Sequence, residues 1–132
     1  MPKPPPLPTL EMPMEHFTAM LHYVTRRTYV ATALAHYTRA NAGNASAIET
    51  IQAMENVELL AMDQLRTFLT SECNITTLPR VIDIMDRPEV DECVVTTMLA
   101  TGSITITNLD KWSLTTDTLN SISNMNGKGT FL

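Results

Sequence analysis

Two long stretches of amphipathic helical pattern, separated only by Asn41-Ala42-Gly43-Asn44, constrain this chain more than any other feature. From about Met14 to Ala40, apolar residues fall at Phe17, Met20, Leu21, Val24, Ala31, Leu34 and Ala35. That is the i, i+3, i+4, i+7 spacing of a buried helical stripe. Tyr23, Val30 and Tyr37 form a second stripe, so the segment is apolar on two faces. Gly43 suits the left-handed residue that commonly ends a helix. The second stretch runs to about Ser71. It carries Ile48, Ile51, Met54, Glu58, Ala61, Leu65 and Phe68, flanked by Val57, Leu60 and Leu69. Ser46, followed three residues later by Glu49, reads as a capping box at its start. So short a link predicts an antiparallel helical hairpin, with Leu21, Val24, Leu34, Ile51, Leu65 and Phe68 buried.

Shorter elements follow. Thr76-Thr77-Leu78-Pro79 is a cap with proline in the first turn, and opens a helix from about Leu78 to Met85 carrying Val81, Ile82 and Met85. Asp86-Arg87-Pro88-Glu89 repeats the device and predicts a helix from Arg87 to Thr101 with Val90, Val94, Thr97 and Met98 on its stripe. Gly102 stops it. Ser103-Ile104-Thr105-Ile106-Thr107 alternates polar and apolar residues, as a strand does. The chain then turns at Asn108–Lys111 and becomes rich in Ser, Thr and Asn, with one more short helix expected from Thr115.

The opposite end is different again. Six of the first thirteen residues are proline. Locked φ angles and missing N–H groups exclude helix and sheet interior there, so residues 1–13 are predicted to form an extended arm of polyproline type. Neither this arm nor the tail can bury enough apolar surface by itself, so both are expected to order only against a neighbour. The fold expected is mainly α: a small helical bundle over 14–102 built on the hairpin, with the proline-rich arm 1–13 and a Thr/Asn-rich C-terminal extension 103–132.

Chemistry is scarce in this sequence. His16, His22 and His36 share the first helix but no two stand at the i, i+3 or i, i+4 spacing that brings two ligands to one ion. Cys73 and Cys93 each follow a glutamate, which raises a thiol pKa, the wrong direction for a nucleophile. They have no C-x-x-C spacing, and read as two buried thiols. Asp83, Asp86, Glu89, Asp91 and Glu92 cluster around two helix ends; caps and charges that favour the helix dipole account for the first three, and a divalent cation held by the cluster is the alternative reading. With four glycines in 132 residues, loops that cradle phosphate are nearly excluded. No catalytic, cofactor-binding or metal residue is assigned, no cofactor is expected, and the chain is read as not an enzyme.

Composition points instead to contact. The chain carries 9 Lys and Arg against 14 Asp and Glu, a net charge of −5, which argues against nucleic acid as the main partner. There are 9 Met, few charges (17%) and twenty Thr, giving a weakly solvated surface that repacks easily against other chains. No apolar run approaches a membrane span and no signal-peptide pattern opens the chain, so an intracellular, non-secreted protein without a membrane partner is expected. Pro4, Pro5, Pro6, Leu7 and Pro8 form the candidate partner-contact arm. Pro5-Pro6-Leu7-Pro8 also matches a proline ligand of WW domains, and Pro2–Pro5 or Pro5–Pro8 gives the P-x-x-P of SH3 ligands.

Met125-Asn126-Gly127-Lys128-Gly129 resembles the recognition pentapeptide of the adenoviral maturation protease, with Met125, Gly127 and Gly129 at its fixed positions. The resemblance implies a cut between Lys128 and Gly129, and a minor capsid protein of an adenovirus, of a genus-restricted cement type located in the virion. The function expected is therefore a structural subunit cementing a large assembly, a virus capsid first. Its partners would be other capsid or complex subunits, with a homo-oligomer among the expected states. An accessory subunit of a large cellular complex, and a proline-motif adaptor recruiting a WW or SH3 domain, are the alternatives.

Overall fold

The computed structural model describes residues 5–108, and most of them are helical. In chain order the elements are β1 (Leu10–Met12), α1 (Met14–Tyr29), a π-helical turn (Val30–Leu34), α2 (Ala35–Ala40), α3 (Ala45–Glu72), α4 (Leu78–Asp86), α5 (Glu92–Thr101) and β2 (Ile104–Ile106). Pro4, the expected helix from Thr115 and the pentapeptide Met125–Gly129 lie outside the described residues.

Local chemistry sets the helix boundaries. The Pro13 carbonyl accepts from His16 and Phe17, so proline opens α1 without losing a donor the helix needs. The π-helical turn interrupts the 3.6-residue period. Ala31, expected on the buried stripe, is therefore exposed, while Leu34 remains fully buried. Gly43 takes a left-handed φ of 87° between α2 and α3, as its position in the link requires. The capping-box expectation is corrected by two residues: Asn44, not Ser46, caps α3, its Oδ1 accepting from the Ala47 N–H at 3.1 Å. Asn44 reaches an extended conformation first, and asparagine caps at least as well as serine.

The expected start of the last helix is corrected in the same way. Proline disfavours α conformation in the residue before it. Arg87 is accordingly extended, α4 ends at Asp86, and Val90 turns back onto the Arg87 carbonyl. Asp91 is the cap of α5, accepting from the Val94 N–H at 2.9 Å. Arg66 holds Asp86 instead, at 2.8 and 3.1 Å.

The core joins both ends of the described chain. α1 packs chiefly on α3, and also on α4 and α5. Met20, Val24, Leu69, Val81, Ile84, Met85 and Val95 are fully buried between them. β1 pairs with β2 in parallel, Leu10 opposite Ile104 and Met12 opposite Ile106. Leu10, Met12 and Ile104 are buried in the same cluster as the helices. The expectation that residues 1–12 order only against another chain is thus corrected over Leu10–Met12. Alternation of Leu10, Glu11 and Met12 lets a three-residue strand put two large side chains inward. Of the six residues expected between the long helices, Val24, Leu34 and Ile51 are buried. Leu21 and Leu65 are half-buried, and Phe68 is 38% exposed.

Candidate functional site

α3 is 28 residues long, about 42 Å at about 1.5 Å per residue. Its inward side is fixed by Ile51 and Leu69, both buried, with Met62 and Leu65 packed against the core. The opposite side should be polar on a helix that has satisfied its packing. It is so only in part, with Gln52, Asn56, Asp63 and Thr67 exposed beside a largely apolar row. Ala53, Val57, Leu60, Gln64 and Phe68 follow one another at helical spacing along exposed positions, without a charge among them. Val57 is 64% and Leu60 60% exposed, and Met54 and Leu59 flank them, also exposed. Sequence reasoning placed Val57 and Leu60 beside a buried stripe. Because α3 is apolar around most of its circumference, periodicity alone could not say which side meets α1.

The candidate partner-contact arm is held by its own domain. Arg87 donates to the Pro5 carbonyl and, at 3.2 Å, to that of Pro6. Arg80 donates to the Thr9 carbonyl at 3.0 Å. Leu7 is half-buried against the core. Arg87 is itself oriented by Asp83 at 3.0 and 3.1 Å, and lies 3.8 Å from Glu89. The guanidinium hydrogen bond holds the Asp83 carboxyl below its usual range, as the Arg66 guanidinium does for Asp86. The acidic cluster is therefore dispersed into separate structural tasks. Asp83 and Asp86 make ion pairs, Asp91 is a cap, and Glu92 accepts from Thr25 at 3.4 Å.

The expectation of two buried thiols is corrected, since Cys73 is half-buried and Cys93, on the outer side of α5, is exposed; one juxtaposition at Cys73 was not legible in the sequence. Cys73 ends α3 beside the start of α1, with its Sγ 3.7 Å from His16 Nδ1. The His16 and Phe68 rings also meet in a T-shaped arrangement, their centroids 5.7 Å apart. Burial, and then the Glu72 carboxylate, push the Cys73 thiol up, so it stays protonated and is not an activated nucleophile. His22 and His36 stand apart from that pair, His36 against the Tyr37 ring. Among the described residues no group of three His, Cys, Asp or Glu side chains could hold a metal ion, and no helix is long and apolar enough to cross a membrane.

A groove of about 630 Å³ lies over the outer side of the two strands, lined by Glu11, Thr105, Thr107, Asn74, Thr76 and Arg80 among others. Its polar groups are largely engaged: Asn74 Oδ1 accepts from the Thr76 and Thr77 N–H groups, and Arg80 holds the arm. The exposed side of α3 is the better candidate, because apart from the His16 ring against Phe68 at one end no ring contact or side-chain hydrogen bond among the described residues engages Ala53, Val57, Leu60 or Gln64. Compared with known proteins, the chain matched no family model, no curated protein and no solved structure.

Proposed function

We propose that this protein is a non-enzymatic structural subunit that docks into a large assembly through the exposed side of α3, most specifically a minor capsid protein that cements a virus shell. The carrying observation is the charge-free apolar stripe centred on Val57 and Leu60, 64% and 60% exposed. A fully buried Val or Leu side chain contributes about 1.5–3 kcal/mol, so each residue leaves more than half of that available to a partner. Contiguous exposed apolar surface of this kind marks an interaction site.

The platform beneath the stripe is read as an antiparallel helical hairpin. Arg26 pairs with Glu58 at 2.9 Å and Tyr23 with Arg66 at 3.1 Å, so later positions on α1 meet earlier positions on α3. The viral assignment rests on the resemblance of Met125–Gly129 to a maturation-protease site, and locates the protein in the virion with capsid subunits as partners. The adaptor alternative is weakened by Leu7, which is half-buried where a WW or SH3 ligand must be free.

The test is size fractionation of extracts from cells that make the protein. The wild-type chain should sediment with a large particle. The Val57→Asp, Leu60→Asp double variant should keep its circular dichroism and leave that fraction. Unchanged co-sedimentation of the variant refutes docking through α3, and a wild-type chain found only as a small free species refutes the assembly role.

A further inference from the structure

We propose that the surface receiving the exposed side of α3 is an apolar strip bordered by basic side chains, lysine or arginine, that meet Glu49 and Asp63. The inference rests on docking through α3 and concerns the chemistry of what docks there. Glu49 stands four residues before Ala53, and Asp63 three residues after Leu60, spacings that make neighbours on a helix surface. Both are exposed. From position 49 to position 63 the helix rises about 21 Å at about 1.5 Å per residue, so a carboxylate borders each end of the apolar row. Among the exposed positions of α3 the charged residues are Glu49, Asp63 and Glu72, and all are acidic.

The described residues have almost no cation left to give them. Arg26 is held by Glu58, Arg66 by Asp86 and Arg87 by Asp83. Arg27 donates to the Met85 and Val90 carbonyls, and Arg80 to that of Thr9. Among the described residues this leaves Arg39, exposed on α2, as the arginine whose side chain has no partner. Glu49 and Asp63 likewise make no ion pair or side-chain hydrogen bond there, whereas Glu58, Asp83 and Asp86 are all engaged.

That imbalance selects the occupant. A second copy of α3 brings the same acidic border and no exposed base, so pairing two copies adds like charge to like. A partner with an acidic or uncharged border leaves both carboxylates at the rim, giving up water without a counter-charge. A basic border pairs them. Opposite charges at a rim steer encounter and fix register, while the apolar row supplies the buried area. On a partner helix lying along α3, the two cations would stand about fourteen residues apart, one near each end of its apolar strip.

The experiment follows the particle-bound fraction of the full chain in the sedimentation assay. Glu49→Lys with Asp63→Lys should lower the ratio of bound to free chain about tenfold at about 0.15 M salt, as two attractions become two repulsions. Glu49→Gln with Asp63→Asn should lower it less. Raising the salt to about 0.5 M should release wild-type chain and change the ratio of the neutral variant far less. If the lysine variant loses its circular dichroism signal, the neutral variant and its salt response decide. A charge-reversed variant that binds as the wild type does, while Val57→Asp with Leu60→Asp leaves the particle, overturns the basic border and keeps docking through α3. Retention of both variants refutes the docking itself, and the border with it. A wild-type ratio unmoved by salt also overturns the border. So does an isolated chain that sediments as a dimer strengthened by neutralising Glu49 and Asp63, because the occupant is then a second copy.

Discussion

Met12→Ala tests whether the N-terminal segment belongs to the folding unit. Met12 is 1% exposed, pairs with Ile106 across the ladder, and sits in the cluster formed by Leu10, Phe17, Met20 and Ile104. Truncating a buried methionine to alanine costs about 2–5 kcal/mol, the transfer free energy plus the cavity left behind. A three-residue strand can settle partly into that space, so the middle of the range, roughly 3 kcal/mol, is the expected loss. Against a total stability of about 5–15 kcal/mol this is a large share. At about 4–8 °C per kcal/mol for a domain near this size, Tm should fall by roughly 12–24 °C. Leu60→Ala is the internal control: at 60% exposure it should change stability by no more than about 0.5 kcal/mol in the isolated chain. Urea unfolding followed by circular dichroism, with thermal melts in parallel, measures both. A Met12→Ala loss below about 0.5 kcal/mol would mean that β1 lies on the surface, and would remove the arm from the core.

Two further outcomes follow from the electrostatics. Asp86 and Asp83 have native pKa values below the ordinary carboxyl value, held there by Arg66 and Arg87. Their contribution is complete above about pH 4 and is lost as pH falls through the lower native values. The urea midpoint should therefore fall on acidification below about pH 4, and fall less steeply in Asp86→Asn; equal slopes refute the pairing. The raised Cys73 thiol, half-buried against His16, should react more slowly with iodoacetamide at pH 8 than the exposed Cys93. Peptide mass spectrometry reads the order, and faster labelling of Cys73 contradicts it.

The helices were legible because their signals are local. Apolar spacing located α1, α3 and α4, and Gly43 and Gly102 marked stops that the structure keeps at φ 87° and 86°. Cap identity was harder, because Asn44 competes with Ser46, and Asp91 with Asp86, within a few residues. The pairing of β1 with β2 joins residues more than ninety positions apart, and no short-range pattern carries such a contact. Six prolines drew attention to stiffness and away from the Leu10-Glu11-Met12 alternation that makes the strand. The exposed side of α3 was illegible for the opposite reason: a helix apolar on both sides gives periodicity no means of choosing between them, and only packing against α1 does. The Cys73–His16 pair likewise depends on how α3 ends beside the start of α1.

The most direct measurement is hydroxyl-radical footprinting of α3 in the free chain and in the particle with which it sediments. Met54, Val57 and Leu60 are all exposed in the free chain and report by oxidation at their side chains. We expect their oxidation to fall several-fold in the particle, while Ile75, 89% exposed in the loop between α3 and α4, serves as the comparison site. Equal oxidation of Val57 and Leu60 in both states would contradict docking through α3, whatever else the particle contains.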